Sequence, residues 1–279
     1  MSENQTAEAR QDMAEPQGMS PRRRAQLVRT VQYVVLIAII LVLAIKMDWP
    51  RIGNRMFNLQ VIGNLMPRLP LALLNTLKYT AGAFVIGITG GLLLALMKLS
   101  SVGPYRWIAH IYTEFFRGIP ALVVVLSVGF GVPMAFGIKI PSIWAKIAIS
   151  LGVISAAYVS ETIRAGLQAV PKGQVEAARS LGMSHTSAMI HVVIPQALRI
   201  VLPPLTNEFI MLTKDTSLVY ALGLMVPEFE LTKLGQDSLN SAQAGLTGMV
   251  VVGVAYLVIT IPLGFLARHL EKVQQKRSA

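Results

Sequence analysis

The stretch VPKGQVEAARSLGMSHTSAMIHVVIP, from Val170 to Pro195, is polar at its start, rich in helix formers and broken by one glycine. It stands between two long apolar segments. Pro171 suits the opening of a helix, where its missing N–H has no partner to lose. Glu176, Ala177, Ala178, Arg179 and Leu181 all favour helix, so the composition predicts one over Gln174–Leu181. Glu176 falls in its first turn, where a negative charge meets the positive end of the helix dipole. Gly182 then ends the helix by taking the left-handed conformation. Ser184 is the expected N-cap of a second piece carrying Met189, Ile190, Val193 and Ile194, and Pro195 marks an expected break. The pattern predicts a short helix along a membrane surface, a glycine turn, and a second helix feeding into the bilayer.

The flanking segments explain why a membrane enters the reading. Runs such as Val34–Ile45, Val123–Ile138 and Gly248–Ala267 carry almost no charge. About 20 such residues, at about 1.5 Å each, cross a hydrocarbon core of about 30 Å. Over all 279 residues, 53% are hydrophobic and 14% charged, too few charges to coat a soluble protein of this size. The mean hydropathy is +0.57. The net charge of +11 sits at segment ends, where topology accounts for it, and it does not point to nucleic acid. No cysteine is present, which removes disulfides and thiol chemistry.

The expected fold is an all-α integral membrane protein with about six transmembrane helices, near 28–47, 70–98, 112–135, 142–167, 197–220 and 246–268. Residues 1–27 are expected to be a disordered cytoplasmic N-terminus. The helix at 28–47 reads as a retained anchor, because no small-residue cleavage site follows it. Residues 271–279 read as a cytoplasmic tail. Arg22, Arg23, Arg24 and Arg29, then Lys98 and Arg106, then Arg164, Lys172, Arg179 and Arg199, then Arg268, Lys272, Lys276 and Arg277 all fall on one side, which makes that side the cytoplasm. One loop disagrees: Lys46, Arg51, Arg55 and Arg68 belong to a segment that must be external. Gly87 with Gly91, and Gly152 with Ala156 and Ser160, form small-residue rows that let helices approach closely, either within the chain or between subunits.

The spacing Glu-Ala-Ala, three residues, Gly, nine residues, aliphatic, one residue, aliphatic, Pro is matched by Glu176, Ala177, Ala178, Gly182, Val192, Ile194 and Pro195. It resembles the EAA loop of the membrane subunits of bacterial ATP-binding-cassette importers. The segments LNTLKYT (Leu74–Thr80), EFFRGIPALVVVL (Glu114–Leu126), AAYVSETIRAG (Ala156–Gly166) and PQALRIVLPPLTNEFIMLTKDTSL (Pro195–Leu218) are similar to permeases for polar amino acids. Ala165 departs from a glycine the family often has there. The resemblance implies a type I importer permease core of five helices over residues 70–270, with one extra N-terminal helix. It also implies that residues 170–195 couple to two separate ATPase subunits through Glu176, Ala177, Ala178, Gly182 and Pro195. The further partners it implies are a second permease chain, identical or merely similar, an extracytoplasmic substrate-binding protein, and the lipid of a bacterial inner membrane, with no cofactor. ATP hydrolysis would then lie on another polypeptide.

The residues themselves support a passive pathway. No phosphate-cradling GxxxxGK[ST], no HExxH and no G-x-S-x-G occurs. His185 and His191 are six apart, off the spacing that shares a helix face, so no metal is expected. Ionisable groups inside spans are costly and mark function or pairing. Glu161 and Arg164 are set to pair, and Arg117 to meet the interface. Asn207 and Glu208 follow Pro203 and Pro204, which are expected to disrupt the helix, so they are substrate-path candidates with Lys214, Asp215 and Thr216. Glu208 either lines that path or bonds a neighbouring helix. An ion-coupled secondary transporter is the alternative, but no inverted repeat and few intramembrane carboxylates are present.

Overall fold

The computed structural model describes residues 21–140, 142–240 and 245–278, with side chains to Gln274. The expected disorder of residues 1–20 lies outside these. The chain divides into two compact units, residues 1–52 and 53–279. Among the described residues every regular element is helical.

The first unit holds α1, Pro21–Lys46, none of whose residues is buried. It starts seven residues before the expected 28, because Pro21 opens a helix readily and Arg22–Arg24 continue one. Asp48 Oδ1 accepts from Arg51 N at 3.0 Å and so caps α2, Trp49–Met56.

In the second unit α3 is Leu59–Leu65, capped by Asn58. Then come α4, Leu69–Leu99, and α5, Gly103–Gly118. After these α6, Ala121–Leu126, passes through a π turn into α7, Val132–Phe136. Next are α8, Ile143–Gln168, and the insert helices α9, Lys172–Ser180, and α10, His185–Ala188. A π turn at Met189–Val193 leads into α11, Ile194–Asp215. The 3-10 turns Thr216–Leu222 and Val226–Glu228 precede α12, Leu231–Leu239, and α13, Thr247–Ser278.

Among the described residues five helices are long and apolar enough to cross a membrane: α1, α4, α8, the rod His185–Leu222 and α13. A bent pair, Gly103–Gly118 with Ala121–Phe136, turned by 109°, passes the same test together and brings the count to six if it is one span. The expected straight span at 112–135 is therefore corrected. Pro120 lacks an N–H and drives Ile119 into extended backbone (φ −98°, ψ 138°), so the helix cannot run through.

The small-residue rows meet each other inside the chain. A Cβ on Gly87 would lie 2.5 Å from Ser155 Oγ, one on Gly91 2.6 Å from Val159 Cγ1, and one on Gly152 2.6 Å from Ile86 Cβ. Thus α4 and α8 pack backbone to backbone. In lipid, where apolar surface gives no drive to associate, such contact is what holds helices together.

The prolines of α11 behave differently from expectation. The helix is unbroken at Pro195 and runs straight through Pro203 and Pro204. Pro195 follows a π turn closed by Ile194 N on Met189 O, the wider turn that gives a proline ring room to enter a continuing helix. Pro203 and Pro204 do remove two donors. In hydrocarbon, however, unwinding would strand still more backbone groups, so the helix persists.

Candidate functional site

The insert is built as a closed hairpin on the end of α8 and the start of the rod. Gly182 has φ +87°. Its N–H donates to Arg179 O at 3.0 Å and Met183 N–H to Ala178 O at 3.2 Å, the paired bonds that terminate a helix through a left-handed residue. Ser184 Oγ accepts from Ser187 N at 3.2 Å and starts α10, as its position predicted. The helix α9 begins at Lys172, two residues earlier than expected, with Pro171 as its cap rather than its first turn. A small core of Val170, Val193 and Ala197, with Val175 and Met189 against it, fixes the hairpin to the bundle. Gln196 Nε2 adds a bond to Gln174 Oε1 at 3.4 Å. Ala178 is buried, whereas Glu176 and Ala177 are exposed. Leu181 at the tip is 86% exposed. Pro195 lies exposed at the start of α11, outside the hairpin's core.

The second feature is a cavity of about 210 Å³ between α5, α8 and α11. Glu208 and Asp215 both line it, with Ser155, Tyr158 and Phe116. Seven residues apart on one helix, the two carboxylates share a face; Asn207 and Lys214, each one position back, do not. Both of those are exposed and neither lines the cavity. Thr216 is buried, and its hydroxyl donates to Thr213 O at 2.7 Å instead. Ser155 Oγ donates to Glu208 Oε1 at 3.3 Å, so Glu208 both lines the space and bonds a neighbouring helix. Ser155 and Tyr158 were missed in the sequence; each lies in a small-residue segment whose lipid-like composition hides which face is inward. Arg117 rests over the Tyr158 ring at 5.5 Å and is not among the cavity's lining residues. Among the described residues no three His, Asp or Glu gather as a metal site.

Nearer the insert, Lys98 requires a correction. It was counted as a loop charge, but it is 6% exposed and its ammonium binds Glu161 and donates to Thr113 Oγ1 at 2.8 Å. Arg164 gives Glu161 Oε2 two further bonds, at 2.9 and 2.7 Å, so the expected Glu161–Arg164 pair forms but within a larger network. Lys98 occupies the last turn of α4, still inside the bundle.

The family of binding-protein-dependent transport system inner membrane components matches residues 87–275. The chain belongs to that family. The permease is 36% identical, over 74% of its length and 94% of the relative's, to the arginine transport system permease protein ArtQ of Bacillus subtilis (strain 168). It is 37% identical, over 75% of its length and 96% of the relative's, to the glutamate/aspartate import permease protein GltK of Escherichia coli O6:H1. Among solved structures, an amino acid ABC transporter crystallised with histidines matches with a TM-score of 0.68 at 38% identity, covering 76% of this chain and 96% of that one. The permease is thus the multi-pass membrane subunit of an ATP-driven amino-acid importer, a kind of machine that works with ATPase and binding-protein partners.

Proposed function

We propose that this permease carries a cationic amino acid, delivered by an external binding protein, through the cavity lined by Glu208 and Asp215. The observation that carries the reading is that two carboxylates face one cavity and no Lys or Arg lines it. A pair of half-buried acids calls for positive charge. An amino acid with a cationic side chain has two such groups, its α-ammonium and its terminal cation. Seven residues of helix rise separate the acids by about 10 Å, a span suited to an extended chain with a cation at each end.

The insert supplies the drive. Glu176 and Leu181 are presented outward on a hairpin pinned to the bundle, which suits docking on an ATPase subunit. Two such subunits would serve a pair of permease chains, identical or similar. The distribution of lysines and arginines supports a cytoplasmic insert and cytoplasmic termini. ATP then shifts the permease between states by binding one of them better than the other. Hydrolysis takes place on the partner.

Uptake of arginine, lysine and glutamate into proteoliposomes holding the full complex tests this. Glu208→Gln with Asp215→Asn is expected to abolish arginine and lysine uptake. Glu176→Lys with Gly182→Pro is expected to leave the bound substrate in place and stop ATP-driven uptake. Uptake of glutamate in preference to the cations, by the unaltered complex, would refute the substrate assignment.

A further inference from the structure

A second polar cluster is built on LNTLKYT, Leu74–Thr80. It lies in α4, and three of its polar side chains, Asn75, Thr76 and Tyr79, reach one stretch of the distant loop between α11 and α12. Asn75 Nδ2 donates to Pro227 O at 3.0 Å and to Phe229 O at 2.9 Å. Tyr79 Oη donates to Glu228 O at 2.8 Å. Thr76 Oγ1 accepts from Leu231 N at 3.2 Å. Three successive carbonyls and the N–H two residues on are therefore met by side chains one turn of helix apart. Buried backbone groups outside a regular helix need such partners. From the other side, Glu230, wholly buried, accepts from Thr232 N and Lys233 N at 2.6 Å each and from Tyr256 Oη of α13 at 3.1 Å.

The stretch so held is the end of a plug. Past Asp215 the chain tightens into the 3-10 turn Thr216–Leu222 and reverses at Gly223, φ +75°. Val219, Leu222 and Leu224 are buried in one cluster with Val124 and Val125 of α6. Leu222 packs on Gly129, where an added Cβ would have to displace its Cδ2. Ala121 and Asp215 line the cavity, and the packed residues Val124, Val125 and Val219 follow a few positions after them in the chain, on the side away from the insert.

We propose that Asn75, Thr76 and Tyr79 are positioning residues that latch this plug shut, so that the cavity's far end opens only when the ATPase drives it. The proposal rests on the permease reading and the orientation above, which make the far end the outer one. Asn75 and Tyr79 touch no substrate; they act through the backbone of Pro227–Leu231.

The test uses the complete complex, with its ATPase and binding protein, in proteoliposomes. Tyr79→Phe keeps the ring and removes the hydroxyl; Asn75→Asp keeps the shape and removes both amide donors. Tyr79→Phe is expected to raise leak of preloaded amino acid without ATP by about tenfold, the factor that one lost hydrogen bond supplies, and Asn75→Asp, which loses two, by more. ATP hydrolysis without binding protein should rise with it, while Thr89→Val, on an exposed turn of the same helix, changes neither. Because the chain has no cysteine, Asn75→Cys with Pro227→Cys can be joined by a reducible linker. The joined form should lose uptake and regain it on reduction. Unaltered complex that transports, with both latch variants within twofold of it for leak and hydrolysis, or with uptake undiminished by the linker, overturns the latch. Unaltered complex that shows no ATP-driven uptake overturns the permease reading instead.

Discussion

Glu161→Gln should destabilise the permease far more than loss of either cation beside it. The Lys98 side chain is fully buried, whereas Glu161 is 25% and Arg164 33% exposed. Removing the Glu161 charge leaves the ammonium with neutral acceptors alone, the Gln amide oxygen and the Thr113 hydroxyl, whose own proton is already given to Ala109 O and His110 O at 3.0 Å. An uncompensated buried charge of this kind costs about 3–5 kcal/mol. Lys98→Met keeps the stem and removes the charge, and Glu161 retains both bonds from Arg164, so about 1 kcal/mol is expected. Arg164→Gln, at a partly wet site, should cost about 1 kcal/mol or less. In the double variant Glu161→Gln with Lys98→Met no charge is stranded, and stability should return to within about 1 kcal/mol of the parent. The coupling energy of the cycle is then at least about 2 kcal/mol in the direction of rescue. Denaturant unfolding of the detergent-solubilised protein, followed by tryptophan fluorescence, measures all four corners. Additive losses, or a Glu161→Gln variant as stable as the parent, would show that Lys98 reaches water, as its place near a helix end first suggested.

Gly91→Leu should prevent folding, because its Cβ meets Val159 Cγ1 at 2.6 Å and the Ser160 backbone N at 3.1 Å, where nothing flexible can yield. Gly253→Ala has open space around its Cβ and should be tolerated or slightly stabilising; size-exclusion profiles separate the two outcomes. Burial pushes the Glu230 carboxyl up from 4.5 to about 7 against the pull of its hydrogen bonds. The native state then holds a proton that the unfolded chain has released, so stability falls as pH rises from about 4.5 to about 7. Thermal unfolding should show that slope in the parent and a flatter one in Glu230→Gln; equal slopes would remove Glu230 as the source.

What could be read from the chain alone was whatever local chemistry decides. Gly182 takes a positive φ and Ser184 caps because each acts on its own neighbours within three residues. Glu208 and Asp215 also share a face for a reason visible in their spacing. The misreadings share a different cause. Lys98 looks like a loop charge because its partner Glu161 is 63 positions away, and hydropathy sees only the window around each residue. The rule that proline breaks a helix assumes water to receive the freed carbonyls; in lipid that water is missing, and Pro203 and Pro204 stay helical. In α5 and α6 the same residue type does break the chain, because Pro120 stands at a junction where Ile119 turns extended and α5 has already ended.

The correction at Pro195 has a mechanical consequence. A break there would have left the insert hinged to the cavity helix, free to move without disturbing it. Instead helix runs from His185 to Leu222, and the second half of the insert and the wall bearing Glu208 and Asp215 are one rod. A displacement imposed at the first turns of that rod reaches Glu208, some twenty residues or about 30 Å along, with only the π turn at Met189–Val193 to absorb any of it. The rod's other end is not free either: beyond the 3-10 turn it passes into the stretch that Asn75 and Tyr79 hold to α4. A push at the insert must therefore either strain those hydrogen bonds or tilt the acidic face of the rod relative to Ser155. The bond from Ser155 to Glu208, at 3.3 Å the longest and weakest of these contacts, is the first that such a tilt would break.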